Sequence, residues 1–261
     1  MGLFFAIIAL ILIAFIIFSK DNGNIFSQNP PRRYKKYTHK PSAEEKGEFG
    51  EQIVNNILGY TIPGKQYLLN NVILEISPGK TTQIDHIFIN QYGIWVIETK
   101  NWNGTIFGKE NDNTWTVVYN GNNKKFYDNP IKQNKHHEYF IKHYLGNKAP
   151  ILGLIVFVNG NTKNVNANGV CHANELPYIV QAGANEVLSP EKMEQCYNEL
   201  NRARLYITNQ EHVTNLQLNR QHKIEQGICP WCNGTLIMRY GDFGNFLGCS
   251  NYPKCQYKKD L

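Results

Sequence analysis

Residues 83–100 read QIDHIFINQYGIWVIETK, and this stretch decides the fold of the chain. Two apolar runs lie on either side of the turn signal Tyr92-Gly93, which predicts an antiparallel β-hairpin. With the residues between the two runs as its loop, Ile89 faces Ile94. Because side chains alternate between the two faces of a strand, this register also fixes which polar side chains share a face.

Two acidic side chains meet in this register. Asp85 lies opposite Glu98, with Cβ atoms about 5 Å apart on one face, and Lys100 shares the face of Glu98. Opposed carboxylates repel each other and weaken a sheet unless a cation lies between them. Mg²⁺ prefers such hard oxygen ligands, and a neighbouring lysine can orient or help deprotonate an attacking water. The alternative is a surface salt bridge, but the apolar run before Glu98 places the charge where burial begins.

The rest of the chain alternates helix-like and strand-like patterns. Ser42 opens a capping box, so a helix follows it. Strands are predicted at 72–76, 105–107, 114–119, 124–127 and 151–158, one helix at 130–145, and two more helices starting at 189–190 and 208. This order predicts a mixed α/β core, a helical connector and a small terminal module.

The first predicted helix carries an acidic residue at the edge of its apolar stripe. Phe49, Ile53 and Ile57, with Val54 and Leu58, form this stripe at helical spacing. At about 100° per residue, Glu51 flanks the stripe, whereas Glu48 lies nearly opposite to it. Glu51 can therefore reach a cleft, and the alternative is a solvated helix face.

Four motifs, in this order along the chain, resemble those of the nuclease-related domain (NERD) family. They are Gly47–Glu51 (GEFGE), Gln83–His86 (QIDH), Ile94–Lys100 (IWVIETK) and Asn129–Gln133 (NPIKQ). This family is related to the PD-(D/E)XK restriction-endonuclease-like enzymes. The resemblance covers about residues 44–160. It implies the restriction-endonuclease-like fold, a mixed sheet flanked by helices, and metal-dependent cleavage of phosphodiester bonds.

The resemblance also implies roles for single residues. Asp85 and Glu98 correspond to the two metal-binding carboxylates of the family, and Lys100 corresponds to its lysine. Glu51 corresponds to the acidic residue of the family's first helix, and Gln133 to the glutamine of its later helix. These residue types are all intact, which implies a working site that uses Mg²⁺ or Mn²⁺. Gln133 is equally compatible with an ordinary exposed helix position. His136 and His137, one turn further on, are expected on the surface rather than on a phosphate.

Four cysteines near the C-terminus have the spacing of a zinc site. Cys229 and Cys232 form one pair, and Cys249 and Cys255 form a second pair sixteen residues further on. Two such pairs in a short segment predict a tetrahedral Cys₄ zinc ribbon over residues 226–261. Disulfides are the weaker alternative in a reducing compartment. A module this short also needs a metal to fold, because it buries too little surface alone.

The ribbon resembles the C4 zinc finger in the tails of type IA topoisomerases, through CPWCNG at 229–234 and FLGCSNYPKC at 246–255. That resemblance implies binding of single-stranded DNA. Aromatic and basic side chains in the ribbon suit base stacking and phosphate contacts, namely Trp231, Arg239, Phe246, Tyr252 and Lys254. The alternative for the aromatic residues is a role in the ribbon's own small core, which we expect for about half of the aromatic side chains in this segment.

The first twenty residues predict a transmembrane helix. Gly2–Phe18 is uncharged and almost entirely apolar, and at about 1.5 Å per residue it is just long enough to cross a bilayer core. A cleaved secretory signal, the alternative, needs a basic start and a small-residue cleavage site, which these flanks do not offer. Residues 20–40 hold six Lys or Arg side chains and one acidic one, so the positive-inside rule places the remaining domains in the cytoplasm.

These patterns divide the chain into five parts. They are a transmembrane helix (1–20), a basic flexible stalk (21–43), a nuclease-like domain (44–175), a helical connector (176–225) and the zinc ribbon (226–261). The expected function is a membrane-anchored, metal-dependent nuclease that acts on DNA, or else on RNA, with the ribbon holding the nucleic acid. The alternative is a non-catalytic, membrane-anchored DNA-binding or scaffold protein.

We predict that residues 1–20 stay attached and hold the protein in a membrane with its C-terminus in the cytoplasm, because the basic stretch follows the apolar run. Mass spectrometry should find a mature N-terminus before Lys20. A periplasmic-type reporter fused at Leu261 should be inactive. A mature N-terminus beyond Lys20, or an active reporter, contradicts this prediction.

Overall fold

The computed structural model describes residues 41–77, 79–120, 123–182, 187–241 and 244–261. The predicted transmembrane helix (1–20) and the part of the predicted stalk up to residue 40 lie outside these residues. Within the described ranges, no helix combines the length and the apolar character that crossing a membrane requires.

The central sheet has five strands in the order β1-β2-β3-β7-β9. Their bounds are Tyr67–Ser77 (β1), Lys80–Asn90 (β2), Gly93–Lys100 (β3), Ile151–Phe157 (β7) and Val170–His172 (β9). The first three strands pair antiparallel, whereas β3, β7 and β9 run parallel. Strand β3 is buried along almost its whole length, as its continuous apolar run indicates.

The predicted hairpin register is confirmed, since Ile89 pairs with Ile94. The ladder between β2 and β3 ends at the pair His86 and Ile97. Asp85 therefore lies one residue beyond the last ladder pair, where β2 and β3 begin to separate. The two carboxylates stand at the end of the paired segment rather than within it.

Within the described residues, five helices surround the sheets. They are α1 (Ala43–Tyr60), α2 (Pro130–Leu145), α3 (Leu176–Ile179), α4 (Pro190–Ala203) and α5 (Asn209–Glu225). Both predicted capping boxes are present, one with Ser42 and Glu45 and one with Thr208 and Glu211. Such reciprocal bonds satisfy backbone N–H groups that the first turn of a helix leaves without partners.

Helices cover both faces of the central sheet, which confirms the predicted mixed α/β class. On one face, α1 packs Val54 and Leu58 against a cluster that contains Phe88, Trp95 and Ile97. On the other face, α2 and α4 bury residues in a cluster with β1, β2 and β3, including Ile141, Leu145, Met193, Cys196 and Leu200. Part of the segment 176–225 therefore belongs to the core of the main domain.

A second sheet of four strands lies beside the first, in the order β6-β5-β4-β8. Its strands are Thr105–Lys109 (β4), Thr114–Val118 (β5), Lys124–Asp128 (β6) and Asn161–Asn166 (β8). Buried Trp115 and Ile106 from this sheet share a cluster with Phe157 of β7. The shared cluster joins the two sheets where β3 and β7 end.

The C-terminal residues form a small three-stranded antiparallel sheet. Its strands are Leu236–Gly241 (β10), Gly244–Cys249 (β11) and Lys258–Asp260 (β12). Strand β11 lies in the middle and pairs with both others. Three of the four ribbon cysteines, Cys229, Cys249 and Cys255, form its buried cluster together with Leu236.

Candidate active site and zinc centre

Two carboxylates lie on neighbouring strands at the end of the hairpin. Asp85 is partly buried, and its Oδ2 accepts a hydrogen bond from the Thr99 N–H at 2.8 Å. Glu98 is only 3% exposed. The backbone bond holds the Asp85 carboxylate close to β3, next to the strand residue that follows Glu98.

Glu98 is held by a lysine and a histidine. Its Oε1 accepts a hydrogen bond from Lys100 Nζ at 2.5 Å, and its Oε2 lies 3.4 Å from His137 Nε2. Burial raises the pKa of Glu98, but the Lys100 charge and the His137 contact outweigh burial and hold the pKa below its usual value. Glu98 is therefore ionised at neutral pH.

The pKa of Asp85 shifts in the opposite direction, upward. Its burial and the charges of Glu98 and Glu51 raise its pKa well above the usual value, and Lys100 and the Thr99 N–H offset this only in part. A cation among these carboxylates would relieve the repulsion. Hard carboxylate oxygens are also the ligand type that Mg²⁺ and Mn²⁺ prefer, so the donor set fits such an ion.

Glu51 lies close enough to this pair to affect it. Burial and the charge of Glu98 raise the pKa of Glu51, and a side-chain hydrogen bond with Asn71 opposes that rise. Val54 and Leu58 of the predicted stripe are buried together with Gly50, and Phe49, Ile53 and Ile57 of the same stripe are partly buried. Glu51 directly follows Gly50 and is partly buried, whereas Glu48 is exposed, as predicted.

Gly50 sets the distance between α1 and the end of β3. A Cβ atom at this position would lie 3.1 Å from Asn101 Cβ and 3.4 Å from Thr99 Cγ2. The first of these contacts is tighter than most Cβ atoms make, so the absence of a side chain lets the helix lie this close to the strand. The approach carries Glu51 toward the two strand carboxylates.

Gln133 joins the same group from α2. Its Oε1 accepts a hydrogen bond from Lys100 Nζ at 3.2 Å, so one ammonium group links Gln133 with Glu98. The structure thus brings together, through hydrogen bonds or charge interactions, all five residues that the resemblance implied, namely Glu51, Asp85, Glu98, Lys100 and Gln133.

Asn129 fixes where α2 begins. Its Oδ1 accepts a hydrogen bond from the Ile131 N–H at 2.9 Å and caps the helix. Its Nδ2 donates to three carbonyl groups of the β4–β5 turn, those of Lys109, Glu110 and Asp112, at 3.3, 3.0 and 2.7 Å. The second sheet therefore anchors the start of the helix that carries Gln133.

His137 was missed at the sequence level, where a surface position was expected. It is 4% exposed, and its Nδ1 lies 3.2 Å from the Thr82 hydroxyl. The expectation was wrong because α2 buries one face at a spacing of three or four residues, which includes Asn134, His137 and Ile141. This periodicity could have identified it. His136, on the next side of the helix, is exposed.

The four ribbon cysteines form a compact sulfur cluster. The Sγ atoms of Cys229, Cys232, Cys249 and Cys255 all lie within 4.8 Å of one another. Zinc–sulfur bonds of about 2.3 Å place tetrahedral ligands about 3.8 Å apart, so the cluster suits one zinc ion. The Gly234 N–H, helped by the Cys249 thiol, lowers the pKa of Cys232 to about 6, which favours the thiolate that binds metal.

The predicted nucleic-acid-binding residues of the ribbon differ in exposure. Trp231 and Tyr252 are 68% and 64% exposed, and Lys254 is exposed as well. Phe246 is partly buried, and Arg239 lies across the Tyr252 ring and donates to the Cys249 carbonyl. Tyr240, which is 82% exposed, adds a further aromatic side chain to this surface.

Comparisons with known families agree with these two sites. The profile of the nuclease-related domain matches residues 46–158. The profile of the topoisomerase DNA-binding C4 zinc finger matches residues 226–261. No solved structure matched the chain.

Two kinds of relatives share different parts of the chain. An uncharacterized protein of Bacillus anthracis is 31% identical over 166 residues, which are 61% of this chain and 77% of that protein. DNA topoisomerase 1 of Methanocaldococcus jannaschii is 60% identical over 39 residues, and DNA topoisomerase 1 of Rickettsia conorii is 53% identical over 38 residues. These matches cover 15% and 14% of this chain, and the chain spans only 5% of either topoisomerase.

We predict that Asp85→Asn stabilises the protein at pH 7 when no Mg²⁺ or Mn²⁺ is present. Since the folded-state pKa of Asp85 is raised, the parent loses stability as the pH rises from about 4 through that pKa. Asparagine carries no charge, so thermal denaturation should show a Tm about 2–4 °C higher at pH 7. This gain should vanish below about pH 4.

Asp128→Asn is the control, because Asp128 is an exposed carboxylate, and its Tm should follow the parent. A lower Tm for Asp85→Asn at pH 7 would mean that the carboxylate stabilises the metal-free fold and would contradict the prediction.

We predict one zinc ion per chain in the ribbon. Cys249→Ser should lose it and unfold residues 226–261, because the buried cluster of the ribbon consists mainly of cysteines. The main domain should keep its thermal transition. Elemental analysis of the purified full chain measures the zinc, and Ser250→Ala, at an exposed neighbouring position, is the control. The prediction is contradicted if the parent protein contains no zinc, or if the Cys249→Ser variant still contains one zinc ion per chain.

Proposed function

The chain belongs to the nuclease-related domain family, and we propose that it is a Mg²⁺- or Mn²⁺-dependent nuclease that hydrolyses phosphodiester bonds in DNA. The observation that carries the proposal is the grouping of Asp85, Glu98 and Lys100 at the end of a buried hairpin. Burial and charge repulsion raise the pKa of Asp85, while Lys100 and His137 hold the pKa of Glu98 below its usual value. A surface salt bridge needs only one carboxylate and does not account for this arrangement.

In this proposal Asp85 and Glu98 hold the metal ion, and Glu51 adds a third carboxylate nearby. When bound, such an ion supplies Lewis-acid stabilisation of charge on the phosphate and a more acidic bound water. His137 is a positioning residue: its Nδ1 meets the Thr82 hydroxyl, and its Nε2 faces Glu98 Oε2. Both Nε2 and Oε2 are buried, so this contact restricts the orientation of the carboxylate.

Lys100 acts on the reacting groups. Its ammonium is held between Glu98 and Gln133 and remains 18% exposed, so it can donate to a water or to a phosphate oxygen in the cleft. The water oxygen forms a bond to phosphorus while the bond from phosphorus to one sugar oxygen breaks. The water gives up a proton, and the departing oxygen gains one. The products are one strand end with a phosphate and one with a hydroxyl.

The zinc ribbon is proposed to grip the DNA as a single strand. Exposed Trp231 and Tyr252 offer faces for base stacking, and Lys254 offers a phosphate contact. The relatives that share this module are named DNA topoisomerases. Since only the ribbon is shared with them, nothing of their strand-passing activity is transferred to this chain.

We further propose that residues 1–20 anchor the protein in a membrane and that its other domains face the cytoplasm. The support is the sequence alone, the apolar run at 2–18 and the basic excess at 20–40. An anchored nuclease would act on nucleic acid that passes close to the membrane surface.

We predict that Asp85→Asn and Glu98→Gln each lower the cleavage rate of the full chain on single-stranded or plasmid DNA with Mg²⁺ by about a thousandfold or more. One carboxylate competes poorly with water for Mg²⁺, and loss of several kcal/mol of charge stabilisation has this effect. Lys100→Ala should lower the rate about a hundredfold and leave metal binding largely intact, because lysine is not a ligand. Gel assays of product formation measure these rates.

Glu48→Gln is the control for these variants, since it removes an exposed carboxylate of α1 outside the proposed site. The control should cleave at the parent rate. If Asp85→Asn cleaves as fast as the parent, the catalytic assignment is wrong. If the parent binds DNA through its ribbon and cleaves no nucleic acid with either metal, the non-catalytic scaffold is the better account.

A further inference from the structure

A groove of about 630 Å³, lined mostly by residues with polar side chains, begins beside the candidate active site. Gln133 and His137 lie in its wall, and so do Thr82 and Gln83, which precede Asp85 on β2. His212 of α5 also lines the groove, and its Nδ1 lies 2.9 Å from the Thr81 hydroxyl of β2. Asp128 is the single acidic residue among the lining residues, which also include Lys132 and three histidines. Most of the lining side chains can form hydrogen bonds, and such side chains suit contacts with a nucleic-acid backbone.

Helix α5 continues this groove toward the ribbon. His212, Leu216, Asn219 and Lys223 are spaced by four, three and four residues, so they lie along one face of the helix. The first two line the groove beside the active site, and the last two line a second pocket of about 380 Å³. One helix face therefore runs from the catalytic residues to the zinc ribbon.

The second pocket concentrates positive charge. Lys80, His222 and Lys223 line it, and no acidic residue is among its described lining residues. Burial and the neighbouring Lys80 charge lower the pKa of Lys223. Across the described ranges, neither lysine forms a salt bridge. Two ammonium groups that repel each other without a carboxylate partner are stabilised by a bound anion.

Hydrogen bonds hold the parts of this pocket in place. Asn219 Nδ2 donates to the Gly79 carbonyl at 2.6 Å, which ties α5 to the turn before Lys80. Lys223 Nζ donates to Asn233 Oδ1 at 2.7 Å, which ties α5 to the first cysteine pair of the ribbon. Asn233 is two residues from exposed Trp231. The pocket thus adjoins the surface on which a strand is proposed to stack.

We propose that Lys80 and Lys223 form a phosphate-binding subsite for a single nucleic-acid strand that runs from the ribbon, along α5, into the active site. This inference rests on the proposed nuclease function. Lys80 and Asp85 are five residues apart on β2, which is about 17 Å at about 3.3 Å per residue. A stacked strand advances about 3.4 Å per nucleotide, so the two lysines contact neighbouring phosphates roughly five nucleotides from the cleaved bond.

The test measures binding rather than cleavage. The full chain, with its zinc retained and no Mg²⁺ or Mn²⁺ added, is titrated with labelled single-stranded DNA of 20 nucleotides at several salt concentrations. Lys80→Gln/Lys223→Gln should weaken binding about tenfold, and the slope of log K against log salt should fall by about 1.4, the value for two lost phosphate contacts on a single strand. Lys80→Arg/Lys223→Arg should keep the parent affinity and slope, because it keeps both charges.

A probe of six nucleotides and a second double variant make the test specific. The short probe reaches the ribbon alone, so the glutamine variant should bind it as the parent does. Lys124→Gln/Lys142→Gln removes two exposed lysines outside both pockets and should leave binding of the long probe unchanged. Parent-like affinity and salt slope for the Lys80/Lys223 glutamine variant overturn the proposal, and so does an equal loss in the control variant.

Failure of this subsite and failure of the nuclease assignment are distinguishable. If the parent protein cleaves no DNA with Mg²⁺ but its binding shows the lysine-dependent salt slope, the subsite is supported and the nuclease assignment is wrong. If the parent cleaves DNA and the Lys80/Lys223 glutamine variant binds DNA like the parent, the nuclease assignment is supported and the subsite proposal is wrong.

Discussion

Repulsion between the carboxylates of Asp85 and Glu98 is the constraint around which the main domain is arranged. The hairpin that holds them is buried on both faces, so neither acid can move freely into water. Lys100 and His137 outweigh the burial of Glu98 and lower its pKa, but the pKa of Asp85 remains raised. Two acids at the end of a core hairpin are not explained by stability alone, and a divalent cation would relieve their repulsion.

Two packing contacts position the helices that lie beside this pair of carboxylates. The glycine at position 50 lets α1 approach the end of β3, and the Asn129 cap joins α2 to the β4–β5 turn. These two contacts come from opposite faces of the central sheet. They place Glu51 and Gln133 near Glu98 and Lys100, which explains why short motifs far apart in the sequence share one site.

Local patterns predicted the fold best. The hairpin register and the capping boxes depend on residues close together in the sequence, and the cysteine cluster depends on the spacing of two cysteine pairs, so sequence spacing was enough to predict them. Long-range packing was less accessible. The expectation of a surface position for His137 was wrong although the periodicity of α2 buries it, and its contact with Thr82, 55 residues earlier, is not contained in any local pattern. The joining of β4 with β8, and the groove along α5, depend on tertiary contacts that no local pattern contains.

Direct measurement of Mn²⁺ binding tests the central claim that Asp85 and Glu98 together hold a divalent cation. Electron paramagnetic resonance of the zinc-loaded full chain, titrated with Mn²⁺, reports bound and free ion separately and does not depend on substrate or cleavage. The account predicts a bound Mn²⁺ signal for the parent that is lost in Glu98→Gln and retained in Glu48→Gln. Equal Mn²⁺ binding by the parent and Glu98→Gln would contradict it.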